Sequence, residues 1–171
     1  MKMLEIGRML YTLRKERAMS QEELCRGLCS VATLSRFEKG ENRPDIYTFH
    51  ALLERLGRTA KDINIVLTLE EFEYMVRRRN VEIAFLSKNY EQAEKDLTNM
   101  EDELQDKGIA LQRQDIYCMY GLLYLYKEQN YKKALEWIEK ALKETISDRK
   151  TSIYFCNSEI QLMLLYVYLN S

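Results

Sequence analysis

The stretch that decides the fold opens at Ser20-Gln21-Glu22-Glu23-Leu24. It continues through Ser30-Val31-Ala32-Thr33-Leu34-Ser35-Arg36-Phe37-Glu38-Lys39-Gly40 and closes at Asn42-Arg43-Pro44-Asp45. Ser20 with Glu23 three residues on is a capping box, in which hydroxyl and carboxylate satisfy each other's orphan amides. It opens a short helix that turns Leu24 and Leu28 inward. After a brief turn at Cys29, Ser30 caps a second helix over residues 31–39. Gly40 then falls where a helix end usually needs a left-handed residue. Pro44 and Asp45 start another helix, with Ile46, Phe49, Leu52, Leu53 and Leu56 on its apolar face. Upstream, Leu4 to Arg17 sets Leu4, Ile6, Leu10 and Leu13 at mostly helical spacing.

The whole chain supports an all-α reading. Its 171 residues hold one Pro and six Gly, too few breakers for a strand-and-turn architecture. An apolar fraction of 46% with a net charge of -1 excludes disorder. His50 is the single histidine, so no multi-histidine metal site can form. No clustered Asp, Ser, Cys or His arrangement suggests catalysis, and no cofactor is expected. No uncharged apolar run is long enough to span a bilayer, and the N-terminus lacks the apolar core of a signal peptide. The expected location is cytoplasmic. Cys25, Cys29, Cys118 and Cys156 therefore read as free, packed thiols. Charge is uneven: residues 1–60 carry 11 Lys and Arg against 8 Asp and Glu, whereas residues 61–171 carry 15 against 19. Only the first part suits a polyanion. A join is expected at Gly57-Arg58-Thr59-Ala60-Lys61-Asp62, with a longer helical pattern opening at Leu69-Glu70-Glu71-Phe72.

Two short helices around a tight turn make a helix-turn-helix arrangement. Ser20–Leu24, Thr33–Gly40 and Asn42-Arg43-Pro44 together resemble the XRE family of DNA-binding domains, which includes the Cro and C1-type phage repressors. The resemblance covers about residues 4–65 and implies a five-helix domain over residues 1–66. It also implies that the helix at 31–39 lies in the major groove, with Val31, Ala32, Ser35 and Arg36 facing base edges. Arg36 is the long donor of the set, matched to guanine O6 and N7; the alternative is a surface ion pair with Glu38 or Glu41. Val31 departs from the glutamine common there in the family. Gln21, Thr33, Lys39, Asn42 and Arg43 match positions that meet phosphates, fixing register without reading sequence. Glu38 and Gly40 read as structural. The family compensates for a weakly basic head by dimerising on half-sites about 34 Å apart.

Beyond residue 66 the chain repeats itself. Lys88-Asn89-Tyr90-Glu91-Gln92-Ala93 recurs 41 residues later as Gln129-Asn130-Tyr131-Lys132-Lys133-Ala134. Each copy is preceded by an amphipathic helix, over about residues 69–87 and 109–128. A helix pair whose second member opens with Asn-Tyr-x-x-Ala is one unit of a helical solenoid. Residues 130–142 resemble the second helix of a tetratricopeptide repeat, with Ala134 and Ala141 as the small close-packing residues; residues 70–106 match more loosely. Residues 67–171 are thus expected to hold about two and a half repeats. A last helix from Thr151 to Leu169 is apolar nearly all round and must be buried. Either it caps the solenoid and meets a second subunit, or the chain was cut from a longer protein.

A helix-turn-helix head followed by such repeats resembles the Rgg and PlcR type of regulator from Gram-positive bacteria. The resemblance implies a transcriptional regulator on a palindromic double-stranded operator, dimeric through its C-terminal helices. It also implies a signalling peptide on the concave face of the repeats, with Asn80, Tyr117, Tyr120 and Tyr124 as candidate contacts. Ten of the twelve tyrosines lie beyond residue 70, however, and read equally as packing residues with wet hydroxyls. Arg77-Arg78-Arg79 reads as a solvated face or as a contact to phosphate or an acidic segment. The competing reading is a protein-interaction adaptor whose head has lost DNA binding.

Overall fold

The computed structural model describes residues 3–59, 67–104, 108–146 and 154–171, and α-helices are the only extended regular elements among them. These are α1 (Met3–Glu16), α2 (Gln21–Cys25), α3 (Val31–Lys39), α4 (Ile46–Arg55), α5 (Leu69–Leu86), α6 (Tyr90–Leu104), α7 (Ala110–Glu128), α8 (Tyr131–Thr145) and α9 (Asn157–Asn170). The chain divides into two compact units, Met1–Val66 with Thr145–Ile160, and Leu67–Glu144 with Gln161–Ser171. Four helices are described within the first 66 residues; residues 60–66, with the Ala60-Lys61-Asp62 part of the join, lie outside the described residues.

The first unit is built around fully buried Leu10, Leu24, Leu34, Phe49, Leu52, Leu53 and Leu56. Leu24, Leu34, Phe49, Leu52 and Leu53 come from helices whose starts are capped as their sequences require. The Ser20–Glu23 box is present at α2. The Ser30 hydroxyl accepts from the Thr33 N–H at α3, and Asp45 Oδ1 accepts from the Thr48 N–H at α4.

A second chain segment completes this unit. Arg55, at the end of α4, is buried and donates from Nη1 to the carbonyls of Leu24 at 3.0 Å and Arg26 at 2.6 Å. Its Nη2 meets Glu159 Oε1 at 2.7 Å, and the two side chains are 3% and 0% exposed. Glu159 Oε2 accepts from the Cys156 N–H, while Glu54 accepts from both the backbone and the side-chain amide of Asn157. Gly27 is essential to this docking: its φ is +71°, and a Cβ there would lie 1.8 Å from the Thr145 carbonyl oxygen.

This capping corrects the expected start of the last helix. Residues 154–156 are not helical, and α9 begins at Asn157 because Glu159 ties back to the Cys156 N–H; residues 151–153 lie outside the described residues. Its burial is also one-sided: Leu162 is buried, whereas Ile160, Leu164, Val167 and Tyr168 are exposed.

In the second unit the 41-residue repeat has a physical meaning. Lys88 and Gln129 both adopt left-handed backbone, with φ of 58° and 50°. Asn89 Oδ1 then accepts from the Gln92 N–H, and Asn130 Oδ1 from the Lys133 N–H, so both asparagines are N-caps. Ala93 and Ala134 are fully buried behind them, followed by Leu97 and Met100 in α6 and by Ile138, Ala141 and Leu142 in α8. The Thr68–Glu71 capping box at α5 is a further start signal that the hydrophobic pattern alone does not reveal.

Replacing Glu159 with Ala leaves the Arg55 guanidinium buried without its carboxylate, and such orphaning costs about 3–5 kcal/mol. Urea denaturation should register that loss, with Glu54→Ala, whose side chain bonds Asn157 at the surface, costing about 1 kcal/mol or less. Equal and small effects from both would refute the clamp.

Candidate nucleic-acid interface

The polar work that holds α3 in place is done on its inner side. Arg14 of α1 is buried and forms a two-pronged pair with buried Glu38, Nε to Oε1 at 2.6 Å and Nη2 to Oε2 at 2.7 Å. Its third donor, Nη1, reaches the Met19 carbonyl at 3.0 Å. The carboxylate of Glu38 holds the Arg14 pKa above its ordinary value. Gln21 adds its side-chain amide to Glu38 Oε2 at 2.8 Å, so one carboxylate links α1, α2 and α3. Gly40 ends α3 in left-handed backbone with φ 71°.

The outer side of α3 is left open. Val31, Ala32 and Arg36 are exposed and Ser35 is half-buried, all on the face opposite buried Leu34 and Phe37. Arg36 has no ion pair among the described residues, and the Glu38 partner considered for it is spent on Arg14. Lys39 and Asn42 are exposed near the end of the same helix. Arg43 is half-buried and engaged within the chain. Thr33 and Gln21 need qualification as phosphate contacts: the Thr33 hydroxyl lies 2.8 Å from Ser30 Oγ, and the Gln21 amide is committed to Glu38. The role of Arg14 was missed from sequence, although its place one turn after buried Leu10 was the available signal.

The candidate ligand contacts in the repeats do not gather in one place. Asn80 borders a polar groove of about 340 Å³ with Arg77, Asp96, Asn99, Asp102 and Glu103. The tyrosines instead surround Trp137 of α8, at ring-centroid distances of 5.6 Å for Tyr117, 4.5 Å for Tyr120 and 6.5 Å for Tyr124. Tyr117 and Tyr120 are buried there, and burial pushes the Tyr120 hydroxyl up to about 12. Lys140 sits 3.7 Å from the Tyr117 ring centroid and Lys133 4.7 Å from that of Tyr124. These three rings pack on Trp137, which offers a large area to stacked rings, and none of them lines the groove at Asn80.

The arginine run is absorbed internally. Arg77 pairs with Glu103 at 3.1 Å, Arg78 with Asp115 at 2.8 Å and also with Glu82, and Arg79 with Glu82 at 3.7 Å. Burial raises the Cys118 thiol to about 12 and the Cys156 thiol to about 11, which keeps both protonated and unreactive. Among the described residues no group of three or more His, Cys, Asp or Glu could hold a metal ion, and no helix is long and apolar enough to cross a membrane.

The Ser30 cap fixes where α3 begins. Ser30→Ala should lower thermal stability by about 1 kcal/mol, read as a shift in the urea midpoint, whereas Ser30→Asp should restore it. A neutral Ser30→Ala would mean that the cap does not set the helix start.

No match is found among curated proteins. Two solved structures align over nearly the whole chain. One is Bacillus thuringiensis PlcR in complex with the peptide PapR7 and DNA, at 12% identity and TM-score 0.46, covering 97% of this chain and 57% of that one. The other is the apo form of the competence regulator ComR from Streptococcus vestibularis, at 21% identity and TM-score 0.38, covering 98% and 57%. The chain thus spans somewhat over half the length of either. Residues 10–63 match the family model described as Helix-turn-helix, and the chain carries an N-terminal helix-turn-helix domain of the XRE type.

Proposed function

We propose that the protein is a cytoplasmic, sequence-specific DNA-binding transcriptional regulator, acting as a homodimer on a palindromic operator. In this reading residues 1–66 are the DNA-binding head, and residues 67–171 are tetratricopeptide-like repeats that dimerise and take a peptide or protein ligand. The observation that carries it is the outward face of α3. Arg36 stands exposed there, with no ion pair among the described residues, on a helix locked from behind by Glu38 and Arg14. A guanidinium left free on a fixed helix can donate to both the O6 and N7 acceptors of guanine. Val31 and Ala32 offer methyl groups to thymine, and Ser35 a hydroxyl. In this reading Gln21, Thr33, Lys39, Asn42 and Arg43 meet backbone phosphates.

For the ligand, the α5–α6 groove at Asn80 is the better candidate. An asparagine amide can both donate to and accept from a peptide backbone. Asp96, Asp102 and Glu103 outnumber Arg77 in the lining, which favours a peptide carrying positive charge.

Selection from random duplex DNA at moderate salt tests the proposal. The expected product is a palindrome with half-sites about one turn apart. Arg36→Ala should cost about 1–3 kcal/mol at one base pair of each half-site and relax the selected sequence there. Arg43→Ala should instead weaken binding to all sequences and reduce the slope of log affinity against log salt by about 1. An unchanged selected site with Arg36→Ala would show that another residue reads the base. Failure of a folded chain to enrich any sequence would favour the adaptor reading.

A further inference from the structure

Six residues on the outward face of α5 follow the spacing of a coiled-coil seam. Leu69, Phe72, Val76, Arg79, Ile83 and Leu86 succeed one another at intervals of 3, 4, 3, 4 and 3, the a and d positions of successive heptads. All six are open to solvent: the five apolar ones are 71%, 54%, 43%, 52% and 85% exposed in chain order, and the Arg79 side chain 74%. The residues of α5 that build its own unit are a different set, Tyr74, Val81 and Ala84, and these are buried. The helix is therefore apolar on two sides. Continuous exposed apolar stripes of this length mark protein interfaces rather than ordinary monomer surface.

The pattern reads alike in both directions, so the stripe can pair with a second copy of itself. If a second α5 is laid against the first end for end, with the two-fold axis between residues 77 and 78, Leu69 meets Leu86 of the other copy. Phe72 then meets Ile83, and Val76 meets Arg79. A two-fold interface requires such self-complementarity. Charge decides the direction. In a parallel pair Arg79 would face its own copy inside the seam. In the antiparallel pair its methylenes lie over Val76 and its guanidinium reaches out towards exposed Glu73, one turn away on the other copy.

We propose that α5 pairs antiparallel with α5 of a second copy, and that this seam is the dimer interface of the protein. The proposal takes dimerisation from the function proposed above and gives it a surface. It is measured without DNA, so that a failed seam and a failed DNA-binding reading are separable.

Sedimentation of the full chain should give twice the 20.4 kDa chain mass. Val76→Glu with Ile83→Glu should raise the dimer dissociation constant at least about 100-fold, with the helical circular dichroism unchanged because neither side chain is in the core. Cross-linking reads the direction independently. Antiparallel pairing holds the two copies of residue 69 about 26 Å apart, at 1.5 Å per residue. Leu69→Cys and Leu86→Cys chains should therefore form an intermolecular disulfide over the wild-type background when mixed, and neither should do so alone. A disulfide within Leu69→Cys alone, or none in the mixture, overturns the proposal. So does a wild-type chain that stays monomeric at high concentration, or a dimer that survives Val76→Glu/Ile83→Glu and is lost on Leu164→Glu, which would place the interface on α9.

Discussion

A buried guanidinium with one carboxylate to answer it is the constraint on which the first unit depends. Arg55 ends α4, closes the carbonyls of Leu24 and Arg26 at the end of α2, and meets Glu159 from more than a hundred residues away. Removing both charges from water is costly, and only good geometry with every remaining donor satisfied repays it. The geometry here is nearly complete: three donated hydrogen bonds are made, and Nε alone lacks a partner. The other oxygen of Glu159 is simultaneously the cap that starts α9. One carboxylate thus sets a helix boundary and completes a charge pair, which is why the unit includes Thr145–Ile160 as well as the N-terminal residues.

The Arg14–Glu38 pair applies the same logic to α3. Glu38 lies on α3 itself, and its two oxygens take three donors from α1 and α2. Fixing α3 from within leaves its outer residues free of structural duty. The proposed reading of bases by this face needs that separation, because a donor engaged in holding the fold cannot also discriminate bases. Arg36 illustrates the point by contrast with Arg14: the two side chains are chemically the same, yet one is exposed with no ion pair among the described residues while the other is buried and bonded through all three nitrogens.

Much of this was legible in the sequence because it is local. Ser20 with Glu23, Ser30 before its helix, Gly40 after it, and Asn89 and Asn130 before Tyr-x-x-Ala are all decided within four or five residues. The hydrophobic face of α4 was likewise correct residue by residue. What escaped is non-local. Nothing near Arg55 points to Glu159, and without that contact the last helix reads as starting at Thr151. The tyrosines of α7 carry the right spacing for a groove, but whether they line one depends on where Trp137 falls, and Trp137 takes them all. The polar groove at Asn80 was half legible, since Asn80 was named while its partners on α6 were not.

The two faces of α5 tie the separate arguments together. A helix packed on its neighbours needs one apolar stripe to do so, and α5 spends Tyr74, Val81 and Ala84 on that. A second stripe, exposed to water, is unfavourable in a monomer and so calls for a partner. The proposed DNA binding supplies a reason for one: with a net charge of only +3 over its first 60 residues, the head would gain little from phosphate neutralisation, so one half-site would be held weakly. Joining two heads makes the second engagement intramolecular, and the gain comes from effective concentration rather than from any new DNA contact. An antiparallel seam also imposes a two-fold axis, and a two-fold protein reads inverted half-sites, so the symmetry of α5 and the symmetry expected of the operator are one requirement stated twice.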